Sequence, residues 1–335
     1  MTTREIVPVS AAIDPDPLSP LNQMQQYLVH EFVDDYNDGY LNRRDLVSKV
    51  GHIVGGASTA LIVIKALGVD LEVAEAQEAS STPVPSAAKS PLSVAADDPA
   101  ITGGDFTYES GGVTYTAYEA KPTGSATPEA GVGKGGLILV CHENRGLTEH
   151  IRDVTRRFAK AGYLAVAVDL VSPEGGTAES DPSAIPGILT AGDMSRHVQA
   201  FADVITRYEE AGEERATRVG TTGFCFGGGI TWRTATKEPR LKAAIPYYGP
   251  PPPLGDVPDI SAAVLGVYSD DPGDFANNGR DDLEGELKAA KIRYEFKIYP
   301  GTQHAFNNDT GPRYNEEQAN AAWKDSLAWF AKYLA

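Results

Sequence analysis

Gly223-Phe224-Cys225-Phe226-Gly227-Gly228-Gly229 lies where an apolar run, Arg218 to Gly223, passes into a helical pattern that starts at Gly227. The motif is G-x-C-x-G-G, a nucleophile elbow with sulfur where a serine oxygen usually stands. Strand and helix approach so closely in this strained turn that side chains at positions 223 and 227 would collide, which is why both are glycine. The motif predicts Cys225 at the carboxyl end of a sheet, with the helix N-terminus beside it favouring thiolate. It also aims the Phe226 backbone N–H at a developing oxyanion.

Outward from the elbow, strand and helix patterns alternate. Gly136 to Cys141 and Tyr163 to Val168 are continuous apolar runs, as strands buried on both faces require, with a helical pattern from Glu149 to Ala161 between them. A helix from Asp193 to Ala211 precedes the elbow strand. Beyond the elbow, strands are predicted near Ala243 to Tyr247, Ala263 to Tyr268 and Tyr294 to Tyr299, and a long helix from Asn315 to Leu334 closes the series. A hairpin from Asp105 to Ala120, turning at Gly111-Gly112, opens it. The fold class is α/β: a doubly wound, mostly parallel sheet with helices on both faces and right-handed crossovers.

In α/β-hydrolases the catalytic acid and then the histidine follow the nucleophile in sequence. His304, in Tyr299-Pro300-Gly301-Thr302-Gln303-His304, follows the last strand and is the candidate base among six histidines. The acid belongs after the strand ending at Tyr268, in Ser269-Asp270-Asp271-Pro272-Gly273-Asp274. Asp271 is the favoured choice, with Asp274, beyond a Pro-Gly turn, as the alternative. Glu143 and Asn144 follow the strand ending at Cys141, where the second oxyanion donor is normally found. The Asn144 backbone N–H is the candidate donor, Glu143 is expected to hydrogen-bond the resting thiol, and Arg145 and Arg152 are candidates for a substrate carboxylate. Tyr248 and Phe306 are further candidates for the pocket wall, although core packing accounts for such aromatics equally well.

The remaining sequence sets limits. A formal charge of −17 argues against a nucleic-acid partner. Two cysteines without ligand spacing argue against a disulfide framework or structural zinc. Residues 1–79 read as a helical N-terminal extension, with Leu28, Phe32, Tyr36 and Tyr40 four apart on one helix side. Within it Arg43-Arg44 precedes a modestly apolar stretch, Val50 to Val69, then Ala74-Glu75-Ala76 and Ala79. That arrangement resembles a twin-arginine (Tat) export signal and predicts a periplasmic or secreted protein, with a plain surface helix and a cytoplasmic location as the alternative. His52 and Lys65 leave a run shorter than the ~20 residues of a stable membrane span. Residues 80–100, rich in Ser, Pro and Ala, read as a linker, and residues 101–335 as the catalytic domain.

Together, His142-Glu143-Asn144-Arg145-Gly146-Leu147, Gly162-Tyr163 through Asp169-Leu170, the elbow, and Tyr299-Pro300-Gly301 with His304-Ala305-Phe306 resemble the dienelactone hydrolase (carboxymethylenebutenolidase) family over roughly Ile101 to Leu334. The resemblance implies a cysteine-dependent hydrolase of esters or lactones with a Cys-His-Asp triad, a glutamate at Glu143, a small-molecule substrate, and no metal or organic cofactor. Several members also carry a twin-arginine segment. Founding members place an arginine four residues after the histidine to hold a substrate carboxylate. This chain has Asn308 there, so dienelactone itself is not the expected substrate. The expected route is removal of the Cys225 proton by His304, attack, and hydrolysis of a thioester. Two other classes are the alternatives: a non-catalytic ligand-binding protein on the same fold and a thiol redox protein.

Overall fold

The computed structural model describes residues 17–71, 90–124 and 135–335. Three helices come first: α1 (Gln23–Asn37), α2 (Arg43–Val54) and α3 (Ala57–Ala66). They are followed by β1 (Ile101–Ser110), β2 (Val113–Pro122), β3 (Leu137–Cys141), α4 (Glu149–Lys160), β4 (Leu164–Val168), α5 (Ile185–Thr190), α6 (Ser195–Glu210) and β5 (Val219–Phe224). The chain continues through α7 (Phe226–Lys237), β6 (Leu241–Tyr247), β7 (Ala263–Ser269), α8 (Arg280–Ala289), β8 (Tyr294–Tyr299) and α9 (Glu316–Tyr333).

Among the described residues, eight strands form one sheet in the order β1-β2-β4-β3-β5-β6-β7-β8. The β1–β2 hairpin and the β2–β4 pairing are antiparallel, and every pairing from β4 to β8 is parallel. The apolar runs are the central strands: every residue of β3, β4, β5 and β7 is buried. Successive strand residues face opposite sides of a sheet. A Cβ on Gly220 would meet Phe330 and Leu334, at the chain's C-terminal end, whereas one on Gly223 would meet Gly227 and Thr231 of α7. Helices α7 and α9 therefore cover opposite faces. α4 shares the α9 face, where Phe158 packs against Trp323 and Phe330.

The N-terminal helices are docked on this core and belong to the same buried cluster. Asn22 and Gln25 form a capping box that starts α1, and Gly55, at φ 87°, ends α2 in the left-handed conformation. Met24, Leu28 and Phe32 bury one side of α1, each worth roughly 1.5–3 kcal/mol of transfer free energy. Met24 lies against Gly229 of α7, and α2 lies against α5 so closely that a Cβ on Gly187 would stand 2.5 Å from the His52 carbonyl oxygen.

Arg43 and Arg44 open α2 and are exposed. The apolar stretch after them is split into two helices bent by 105°, and no single helix among the described residues is long and apolar enough to cross a membrane. The Ala74-Glu75-Ala76 and Ala79 signals, and residues 80–89 of the expected linker, lie outside the described residues. Residues 90–100, expected as the rest of that linker, are instead bound to the domain. The Ser90 N–H donates to Asp309, the Val94 N–H donates to Asp153, and Arg156 Nε donates to the Val94 carbonyl. Buried charges thus supply the ordering free energy that the segment's own composition lacks.

Candidate active site

Cys225 adopts φ 56° and ψ −119° between β5 and α7, a conformation in which non-glycine residues are strained. The surroundings hold it there. A Cβ on Gly223 would come within 2.2 Å of the Gly227 oxygen, and one on Gly227 within 2.4 Å of the His142 oxygen. The Cys225 N–H donates to Tyr247 O, and Cys225 O accepts from Gly228 and Gly229. The Phe226 N–H faces the sulfur.

Five strand ends converge on this point: Glu143 follows β3, Tyr248 follows β6, Asp274 follows β7 and His304 follows β8, alongside the β5 elbow. His304 Nδ1 lies 3.2 Å from Asp274 Oδ1. The favoured acid, Asp271, is not in contact with His304. Its carboxylate turns back to accept from the Gly273 N–H. Asp274 instead caps a short 3-10 turn by accepting from the Ala276 N–H, and its other oxygen accepts a hydrogen bond from the Ser269 hydroxyl. The Pro272-Gly273 turn moves the useful carboxylate three residues further along than expected.

The thiol partner also differs from expectation. Cys225 Sγ donates to Glu31 Oε2 of α1 at 3.1 Å. Glu143 is engaged by Asn308, whose amide donates to it at 2.6 Å. Asn308, four residues after His304, thus holds Glu143. Tyr27, one turn before Glu31, places its hydroxyl 2.6 Å from Tyr248 O and 3.4 Å from His304 Nε2. A carbonyl only accepts, so the single Tyr27 proton goes to Tyr248 O, and Tyr27 Oη faces the imidazole as an acceptor. With Asp274 accepting at Nδ1, both ring nitrogens face acceptors, the pattern of an imidazolium.

The electrostatics agree. Burial alone would push His304 down, but the Asp274 charge and hydrogen bond, with Glu31, hold it above its ordinary value of 6.5. Burial would raise Asp274, yet His304 and its hydrogen-bond donors keep it below the usual carboxylate range. Burial first, then Glu31 and Glu143, push the Cys225 thiol well up. The expected thiolate at the helix N-terminus is therefore overturned: the Phe226 N–H favours it, but burial and two carboxylates outweigh that dipole. Glu31 itself is raised, chiefly by burial.

Ligand atoms of Glu31, Cys225 and His304 lie within 4.8 Å of one another. Sulfur, nitrogen and oxygen form a donor set that zinc accepts, although here the hydrogen bonds just described already satisfy these atoms. A cavity of about 150 Å³ adjoins them, lined among others by Glu31, Glu143, Asn144, Arg145 and Asn308. Larger hollows of about 670 and 430 Å³ lie elsewhere and contain none of these residues. Arg152 is not at the site, because it pairs with Asp105 and stacks on Tyr118. The buried Tyr248 ring lies 5.0 Å from that of His304, and its hydroxyl has no hydrogen-bond partner among the described residues. Phe306 is fully buried between Tyr248 and Tyr299 and acts as packing.

An eight-stranded, mostly parallel sheet in this order, with an elbow cysteine beside a histidine–aspartate pair, defines an α/β-hydrolase. The dienelactone hydrolase family profile matches residues 122–334, and the chain belongs to that family. A Salmonella typhi protein named for carboxymethylenebutenolidase is 35% identical over 256 residues, covering 72% of this chain and 92% of its own. An Escherichia coli K12 protein of the same name is 34% identical over 262 residues, covering 73% and 94%. The crystal structure of a Klebsiella pneumoniae protein described as a dienelactone hydrolase is 32% identical, with a TM-score of 0.62 over 70% of this chain and all, 100%, of that one. A dienelactone hydrolase-like promiscuous phosphotriesterase from metagenomic libraries, 21% identical with a TM-score of 0.60 over 70% of this chain and 100% of its own, shares the fold. The protein is accordingly a hydrolase of ester or lactone bonds. Glu31 and Tyr27 precede the matched region.

Proposed function

We propose that the protein cleaves a small carboxylic ester or lactone through a thioester on Cys225, with His304 as acid–base and Asp274 as the group that orients it. The observation that carries this reading is the burial of Cys225, His304 and Asp274 together at the ends of β5, β8 and β7, with the His304–Asp274 hydrogen bond made. Thiolate attack on the carbonyl gives a tetrahedral oxyanion, for which the backbone N–H groups of Phe226 and Asn144 are the proposed donors. His304 protonates the leaving oxygen and then activates the water that hydrolyses the thioester.

Two features bear on substrate. The cavity of about 150 Å³ beside Glu31 and Glu143 suits a small-molecule substrate. Arg145 at the cavity wall is suited to meet a substrate carboxylate. With Asn308 holding Glu143, dienelactone is not the proposed substrate.

Cys225→Ala should abolish hydrolysis of p-nitrophenyl acetate while thermal unfolding stays close to wild type. Activity retained above a few per cent would remove Cys225 from the mechanism.

A further inference from the structure

The apolar face of α1 carries a pattern that packing alone does not explain. Met24, Tyr27, Leu28, Glu31 and Phe32 fall at i, i+3, i+4, i+7 and i+8, and all are buried, so Glu31 occupies a core position of an amphipathic stripe. An unpartnered carboxylate there would cost several kcal/mol. Its partners are the thiol, 3.1 Å away, and the histidine, within 4.8 Å. The glutamate that the family resemblance assigns to the thiol, Glu143, is turned toward Asn308.

We propose that Glu31, supplied by the N-terminal helix, is the proton partner of the Cys225 thiol and a catalytic residue of this enzyme. The proposal rests on Cys225 being the nucleophile. At rest the Glu31 carboxylate accepts the S–H and balances the charge on His304, so sulfur is neutral. On attack the S–H bond breaks, the proton forms an O–H on Glu31, and the sulfur electron pair forms the S–C bond to the acyl carbon. The imidazolium Nε2 proton goes to the departing alkoxide. In the second half, neutral His304 takes a proton from water, the hydroxyl adds to the thioester, and the S–C bond breaks with its electron pair returning to sulfur. Sulfur then recovers its proton from Glu31, and the products are the acid and the alcohol. Helix α1 is thereby part of the active site.

The charged and titratable groups around Glu31 and Cys225 are Tyr27 and Asp35 on α1, Lys49 on α2, Glu143 after β3, Tyr248 after β6, Asp274 after β7, and His304 and Arg313 before α9. Among the described residues, Glu31 accepts the hydrogen bond from the sulfur at 3.1 Å, and the Tyr27 hydroxyl also stands within reach of it.

The test is the pH dependence of Cys225 alkylation by iodoacetamide in the full chain, followed by peptide mass. The midpoint, unlike the plateau rate, does not depend on how readily the reagent reaches sulfur. Glu31→Gln should move the midpoint down by about one unit or more, a roughly tenfold gain in thiolate at pH near 7, and Glu143→Gln should move it less. Glu31→Asp keeps the charge but withdraws it by one methylene, and should give a smaller downward shift, providing a second variant if Glu31→Gln does not fold. A midpoint unmoved by the Glu31 variants, or moved more by Glu143→Gln, overturns the proposal. Because alkylation is read without ester hydrolysis, failure of the nucleophile assignment would show separately, as turnover by Cys225→Ala.

Discussion

Among single residues, the acid and the thiol partner are where sequence and structure part. Cys225 and His304 were legible because each is fixed by a motif: the elbow glycines force one position, and a loop after the last strand delivers the other. Asp271 and Asp274 were not separable, because a turn that hands on a carboxylate depends on which backbone N–H groups it caps, and adjacent acidic residues look alike in sequence. Asp274→Asn should lower kcat by about 10²–10⁴ with little change in KM, since the amide leaves His304 without charge stabilisation. Asp271→Asn should be nearly silent. The same contact fixes a pH profile. A base whose pKa is raised becomes neutral only at higher pH, so kcat limited by thioester hydrolysis should rise through a midpoint above the ordinary imidazole value of 6.5, and a residual profile in Asp274→Asn should lie lower. A wild-type midpoint at or below the ordinary value would contradict the Asp274 assignment.

At the scale of elements, the strands of the sheet were readable as apolar runs, since parallel strands buried on both faces leave little room for polar residues. Two pieces were not. Glu31 was hidden because a lone carboxylate beside Leu28 and Phe32 reads in sequence as the polar edge of an apolar stripe, although it is buried with them. Residues 90–100 were read as linker because composition reports only what a segment can bury by itself. That segment is held by partners distant in sequence. Asp309 accepts from Ser90 N–H and pairs with His150 and Arg157. Burial would raise Asp309, but these donors and charges hold it far below the usual carboxylate range. A carboxylate depressed in the folded state stabilises above its unfolded pKa, and that contribution is lost as pH falls through the folded value. Asp309→Ala should therefore destabilise at neutral pH by about 3–5 kcal/mol, as for a broken buried ion pair, and the difference from wild type should shrink in strong acid. Chemical denaturation across pH measures both.

For the molecule as a whole, the helices before the family-matched region form part of one core with the hydrolase sheet. This bears on export. Arg43 and Arg44 remain exposed, while Val50, Ile53, Ala60, Val63 and Ile64 behind them are buried, so any apparatus reading the stretch as a signal must lift it from the enzyme. We propose that twin-arginine recognition leaves the helices in place in the active form. A fusion of residues 1–80 to a reporter should be exported, and Arg43→Lys with Arg44→Lys should block it. The active enzyme should retain Glu31 when its N-terminus is determined, and a fully active species lacking residues 1–79 would refute that. The central claim is the covalent route through Cys225. Rapid quenching of the enzyme with p-nitrophenyl acetate, followed by peptide mass, should place an acetyl group on the peptide bearing Cys225 at times before steady state and show none in Cys225→Ala. An acetyl group on another residue during turnover, or undiminished turnover with no acyl-enzyme at Cys225, would contradict the account.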